Sequence, residues 1–448
     1  MIRSVLPVLA FLGFAATYIA VPSESAGARA YRGHAANAGH TRRAHRKIVR
    51  KKSKAKAPAA AKETAATPNI TLGEPPPPKR PEKLLTRAEI LESDPARLER
   101  LGRRLMVGFE SFAEVRTLVE KRAVAGIFIT DHNVRGRKAA DIAKDIRDLQ
   151  DIRKAQGLPR LLVAADQEGG YVSRLSPPLK LQPSLGTLVG KLKKGEDLET
   201  AVRDYAETQG QELERLGVTM NFGPVVDLRL GPASRKDGET RLYWRAISAD
   251  PYVVADVAGW YCDTLTKYNI ICTLKHFPGL GRVPRDTHVD AADVTAKEAQ
   301  LELTDWVPFR RLMGQPGVAT MVGHVRVKAI DGTTPASFSD TVINSVLRPS
   351  DKKDALLVTD DFSMGAVTKS PEGLGGAVVK AVNAGIDLVL ISYTQRHYDV
   401  AMSALIEADT KGEINEARQI EARERMAKYA FVENEFETAS PQHAQQQR

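Results

Sequence analysis

Eight short apolar runs punctuate the chain: RLMVGF (104–109), GIFIT (126–130), LLVAAD (161–166), VTMNFGPVV (218–226), IICTLKHF (270–277), ATMVGHV (319–325), ALLVTD (355–360) and IDLVLIS (386–392). Runs of this length bounded by turn residues are the pattern of buried strands. Between most of them lie longer stretches such as KAADIAKDIRDLQDIRKAQG and LETAVRDYAETQGQELERLG. Their apolar residues recur every three or four positions and they end in Gly, the signature of helices packed by one face. Eight strand–helix units predict an α/β protein built as a single (β/α)8 TIM barrel. A doubly wound open sheet would show the same periodicity.

What favours the barrel is where the polar residues fall. Asp166 with Glu168, Asn221 with Asp227, Lys275 with His276, His324, Asp360 with Asp361, and Ser392 all stand at or just past the C-terminal side of these runs. A barrel gathers those strand ends on one face, where this fold builds its active sites. Any one of them could be a strand-end cap or a satisfied core polar group. Recurrence on six of eight strands is what singles them out.

Composition changes the picture mainly at the N-terminus. The chain of 448 residues is 42% hydrophobic and has a formal net charge of +10. Residues 31–84, however, hold fourteen Lys/Arg against three Glu, and the 364 residues that follow carry −2. The basicity therefore belongs to a tail, and nucleic acid is not the expected partner. Residues 31–90, basic and rich in Pro and Ala, read as a disordered tether, either a spacer or a segment that docks on an anionic envelope. Before it, Arg3 and VLPVLAFLGFAATYIAV (5–21) make residues 1–30 a signal peptide, with a membrane anchor as the alternative, so the protein is expected to be exported and periplasmic. The folded domain is expected over 91–433 and a frayed tail over 434–448. Two cysteines, Cys262 and Cys272, exclude a disulfide-built scaffold. With Cys272 inside an apolar strand, they are expected to be a pair of buried thiols, with one bridge between them as the alternative.

Three segments carry candidate chemistry. Asp360 ends a stiff apolar strand, as a nucleophilic carboxylate needs; Asp361 should point away and cap the following turn. In KHFPGLGRVPRDTH (275–288), Asp286 and His288 form a carboxylate–imidazole pair on a loop that Gly279, Gly281 and Pro284 allow to bend. An unperturbed imidazole titrates near ~6.5, so both protonation states are within reach at neutral pH. In DQEGGYVSRL (166–175), Asp166 can accept from sugar hydroxyls and Arg174 can donate. No glycine-rich nucleotide motif follows a strand and no metal-ligand spacing stands out, so neither a cofactor nor a metal is expected.

Seven ordered motifs then carry a family resemblance: DQEGGYVSRL, NFGPVVDL, RAISADP, KHFPGLGRVPRDTH, MVGHV with PASFS, VTDDFSMGAV and NAGIDLVLIS. From about residue 95 to 430 the chain resembles the glycoside hydrolase family 3 β-N-acetylhexosaminidases of the NagZ-like single-domain branch. The resemblance implies a retaining hydrolase that removes terminal β-linked N-acetylglucosamine from murein-derived or related glycans. It makes Asp360 the nucleophile, His288 the acid/base and Asp286 its partner, and Asp166, Arg174, Arg245, Lys275 and His276 the residues that hold the sugar. His324 and Asp227 fall on motif positions with supporting roles. A family 3 β-glucosidase, an N-acetylglucosaminide phosphorylase and a non-catalytic peptidoglycan-binding protein are the alternatives. Two departures stand out: the family's KHFPGHG has Leu280 for its second His, and its GGR reads Gly169-Gly170-Tyr171. Oligomeric state is not legible in the sequence.

Overall fold

All eight apolar runs form strands, and the strands lie side by side in chain order. They are β1 (Leu105–Val107), β2 (Gly126–Ile129), β3 (Leu162–Ala165), β4 (Met220–Asn221), β5 (Ile271–Phe277), β6 (Val318–Val322), β7 (Leu356–Thr359) and β8 (Val389–Ile391). The computed structural model describes residues 81–230, 240–283, 287–392 and 395–429. The expected signal segment, most of the expected basic tether and the residues after 429 lie outside these. The sheet is parallel throughout and runs from β7 back to β1 and then to β8. A bridge between Val358 and Leu388, with Thr359 N–H donating to Leu388 O (3.0 Å), brings the last two strands together. This is the nearly closed eight-stranded barrel of the (β/α)8 class, not an open sheet.

Strand parity explains both the core and the site. Side chains alternate across a strand, and these strands are apolar on both faces because helices cover the outside. Leu105, Val107, Ile127, Ile129, Val163 and Leu357 join the layer against the helices. Met106, Phe128, Ala164, Phe222, Met321, Val358 and Leu390 fill the barrel interior. There the Phe128 and Phe222 rings stack 5.4 Å apart. Counting on by two from these interior positions gives Thr130, Asp166, Asp360 and Ser392. The same parity that buries the floor thus delivers the polar groups above it. At the opposite end, the helix Glu416–Tyr429 stoppers the barrel. Tyr429 packs against the interior cluster and donates to Val318 O (3.2 Å).

Two expectations are corrected. Residues 81–90, assigned to the tether, are folded: the helix Arg87–Leu91 is capped by Thr86, with Ile90 fully buried. Arg87 pairs with Asp399 (2.5 Å), and Leu85 N–H donates to Ser403 Oγ (3.0 Å) on the helix Gln395–Thr410. These contacts lie more than 300 residues away along the chain, so local composition could not show them. The cysteines are also not free thiols. Cys272 faces outward from β5 against the helix Pro251–Thr266 that precedes it, and its sulfur is bonded to that of Cys262, with Cα atoms 5.4 Å apart. That separation is ordinary for a disulfide. Opening the bridge with Cys262→Ser should cost about 3 kcal/mol, the closure entropy of so short a loop. Urea unfolding of the variant beside the wild type, and of the wild type with and without reductant, would measure it.

Candidate active site

Above the floor of Phe128, Phe222, Met321 and Leu390, the C-terminal ends of the strands enclose a cavity of about 240 Å³. Asp166, Arg174, Arg245, Lys275, His276, His288 and Asp360 all border it. The described residues therefore bring seven of the eight expected site residues to one place. Asp286 lies outside the described residues. Among them, no three His, Cys, Asp or Glu side chains converge to hold a metal ion.

One wall is an alternating chain of charges. Lys275 Nζ lies 2.6 Å from both Asp166 Oδ1 and Glu168 Oε1. Glu168 in turn receives Arg245 in a two-pronged contact of 2.7 and 2.8 Å. Burial alone would push the Glu168 carboxyl up, but Arg245 and Lys275 outweigh it and hold it at about 2. Burial would likewise lower Lys275, yet Asp166 and Glu168 raise it above the ordinary lysine range. Glu168, Lys275 and Arg245 are thus charged at neutral pH, and the chain ends on Asp166, the one with partial solvent access. Sequence reasoning marked Glu168 only as a strand-end carboxylate. The structure makes it the hub, because Arg245 arrives from 77 residues away.

Removing the Glu168 charge leaves two buried cations short of a partner, so Glu168→Gln should cost about 3–5 kcal/mol. The pH dependence has a definite sign. A carboxyl that drops from 4.5 when unfolded to about 2 when folded stabilises the protein above pH 4.5. That stability is lost as pH falls through the interval toward 2. Urea midpoints measured across that range should fall steeply for the wild type and less so for the variant.

Lys275 and His276 are neighbours on β5, yet both border the cavity. In a regular strand they would face opposite ways. Here the register against β6 shifts between Leu274 and Phe277, an irregularity of the kind that re-aims side chains beside active sites. The peptide joining them is cis. His276 is fixed from behind by fully buried Asp227: its Nδ1 lies 2.7 Å from Asp227 Oδ2, and its backbone N–H donates to the same oxygen. The other Asp227 oxygen accepts from Leu280 N–H (2.6 Å), so one carboxylate orients the imidazole and pins the start of the following loop.

Asp360 stands on the interior side of β7, half-buried, with Asp361 N–H donating to its Oδ1 (2.8 Å). Burial would raise its carboxyl, but His276, His324, His288 and the Asp361 N–H together hold it below the usual aspartate range. It is thus held as an anion at the border of the cavity, where it is available for chemistry. Asp361 does cap the turn: it accepts from Ser363 N–H and from Ser392 N–H, each at 2.9 Å, tying β7 to the end of β8. Buried His324 has both ring nitrogens engaged, by Ser337 Oγ and by Asp361 O, each at 2.9 Å, which suits a structural post. Burial lowers its pKa, favouring the neutral ring.

The far end of the loop is anchored to the short helix Gly365–Thr368 that follows β7. Gly365 N–H donates to His288 O (2.8 Å), and a Cβ at Gly365 would come within 2.1 Å of Val289 O. Glycine is therefore what lets the loop lie against the turn that follows Asp360. His288 itself is exposed and reaches the cavity from its rim.

A family model described as the glycosyl hydrolase family 3 N-terminal domain matches residues 98–429. Among curated proteins, the chain is 31% identical over 323 residues to the β-hexosaminidase LpqI of Mycobacterium tuberculosis, covering 70% of this chain and 78% of that one. It is 36% identical over 287 residues to a β-hexosaminidase of Xylella fastidiosa, covering 63% and 80%. Among solved structures, a family 3 β-N-acetylglucosaminidase from a Paenibacillus species superposes with a TM-score of 0.68 at 29% identity, covering 74% of this chain and 61% of the longer Paenibacillus chain.

Proposed function

Because the chain belongs to glycosyl hydrolase family 3 and is a glycosidase of the β-hexosaminidase kind, we propose that it removes terminal β-linked N-acetylglucosamine by double displacement at Asp360. The observation that carries this is one cavity bordered at once by an ionised carboxylate, an imidazole on an anchored loop and the Asp166–Lys275 pair. In the first step an Asp360 oxygen bonds to the anomeric carbon while the bond to the glycosidic oxygen breaks. That oxygen takes its proton from His288, and the leaving sugar departs. In the second step neutral His288 takes a proton from water, whose oxygen attacks the anomeric carbon. The ester to Asp360 breaks and both side chains return to their starting states. Asp166, Lys275, Arg174, Arg245 and His276 hold the sugar, and Asp286 serves as the partner of His288.

An imidazole in the acid/base position has a physical consequence: in its neutral form it does not repel an anionic aglycone, as a second carboxylate would. That fits murein-derived glycans as the substrate class. Export to the periplasm is part of the same reading. It is supported by the N-terminal apolar segment and by the disulfide, since such bridges persist in oxidising compartments. Paired assays with the p-nitrophenyl β-glycosides of N-acetylglucosamine and glucose test the activity. The first should be hydrolysed, on the order of 10²-fold or more faster, with the β-anomer appearing first. Equal rates would contradict the reading.

A further inference from the structure

The helix Glu416–Tyr429 stoppers the base of the barrel without filling it. Between this helix and the starts of the strands lies a second cavity of about 310 Å³, at the end opposite the catalytic one. Small-molecule sites begin near ~300 Å³. One wall is apolar. Ala125, Leu162, Ile271 and Leu356, where β2, β3, β5 and β7 begin, meet Met426 of the helix. The polar side chains in this wall are turned to the backbone. Thr219 Oγ1 accepts from Val163 N–H (2.8 Å), and Tyr429 donates to Val318 O.

The rim is basic. Arg103, Arg153, Arg160 and Arg423 all border the cavity, and among the described residues no Asp or Glu does. Arginines in solvent would mean little, but Arg153 is only 6% exposed. It stands in the last turn of the helix Ala139–Ala155, and its Nε donates to Pro159 O (3.3 Å). Its two terminal nitrogens find no hydrogen-bond partner among the described residues.

The carboxylate that bears on Arg153 is Glu99, and it is already shared. One of its oxygens takes Arg103 (2.6 Å) and the other Arg122 (3.0 Å). Burial pulls Arg153 down to about 10, which still leaves it charged at neutral pH. A buried cation is costly until an anion joins it. The planar fork of a guanidinium matches the two oxygens of a carboxylate, and one negative charge balances one buried arginine. The apolar wall beyond requires that the rest of the ligand be apolar too.

We infer that the cavity at the base of the barrel binds a small amphipathic carboxylate, its head on Arg153 and its aliphatic tail against the strand starts. The site is separate from the proposed glycosidase chemistry and does not depend on it. It lies at the N-terminal end of the strands, whereas active sites of this fold lie at the C-terminal end.

The test is calorimetric titration of the full-length protein with hexanoate, octanoate and decanoate, with octanol as the uncharged control. One molecule should bind per chain, and each step of two methylenes should tighten binding roughly tenfold as the tail enters the cavity. Octanol should bind roughly tenfold more weakly than octanoate, or worse. Arg153→Met, which keeps the length of the side chain without its charge, should weaken octanoate by a similar factor. Octanoate should also raise the Tm of the wild type and leave that of Arg153→Met where it was. Arg423→Ala, on the exposed rim and no threat to folding, should weaken octanoate roughly threefold. Failure of the full chain to bind saturably, as would follow if residues 430–448 cover the cavity, overturns the site. So does octanol bound as tightly as octanoate, or an affinity that neither arginine variant moves.

Discussion

Asp360→Asn should lower kcat/KM for p-nitrophenyl N-acetylglucosaminide by on the order of 10⁴-fold or more, comparable to removing one member of a covalent catalytic unit. That is about 5.4 kcal/mol of transition-state stabilisation. The side chain keeps its size, and its Oδ1 can still accept from Asp361 N–H. What disappears is the anion that the imidazoles of His276, His324 and His288 favour and that burial opposes. A carboxyl held below its ordinary range adds a modest stability when ionised, so its neutralisation should cost chiefly activity and only a little stability. Steady-state kinetics with an unfolding curve on the same preparation would check this. A variant that folds normally and retains even a hundredth of the wild-type rate would remove Asp360 from the chemistry.

His288→Ala should show a loss that depends on the leaving group. With a sugar as leaving group, departure needs a proton and the rate should fall by roughly 10²–10⁴-fold. With p-nitrophenolate, which leaves unaided, the first step should survive while the second, lacking its base, slows. The glycosyl-enzyme then accumulates, so kcat and KM should fall together and a burst of p-nitrophenol should precede the steady state. Azide needs no base to attack and should restore the steady-state rate. An equal loss on both substrates, with no burst, would mean that His288 shapes the site without transferring the proton. Folding is not at stake, because this exposed side chain sits on a loop held by backbone bonds to Gly365 and Ala366.

The barrel was legible because its strands are apolar on both faces and stop at polar residues, a pattern that survives in one dimension. Strand parity, read from Met106, Phe128, Ala164 and Val358, also assigns Asp360 to the interior and Asp361 to the turn. What stayed hidden depends on partners distant in sequence. Glu168 becomes a hub only once Arg245 and Lys275 arrive, and residues 81–90 fold only against Asp399 and Ser403. Lys275 and His276 share the cavity through a local irregularity that breaks the two-residue period. The disulfide was missed for a different reason. The apolar strand around Cys272 reads as plain core, whereas its parity faces the helix that carries Cys262.

Treating the protein with 5-fluoro-N-acetylglucosaminyl fluoride, which forms a slowly released glycosyl-enzyme, and then digesting it with trypsin bears most directly on the covalent mechanism. The peptide DALLVTDDFSMGAVTK (354–369) should gain the mass of one fluorosugar, and fragmentation should place that mass on Asp360. A sugar found on Asp361, on another peptide, or on none while the enzyme still turns over the reagent, would contradict the account.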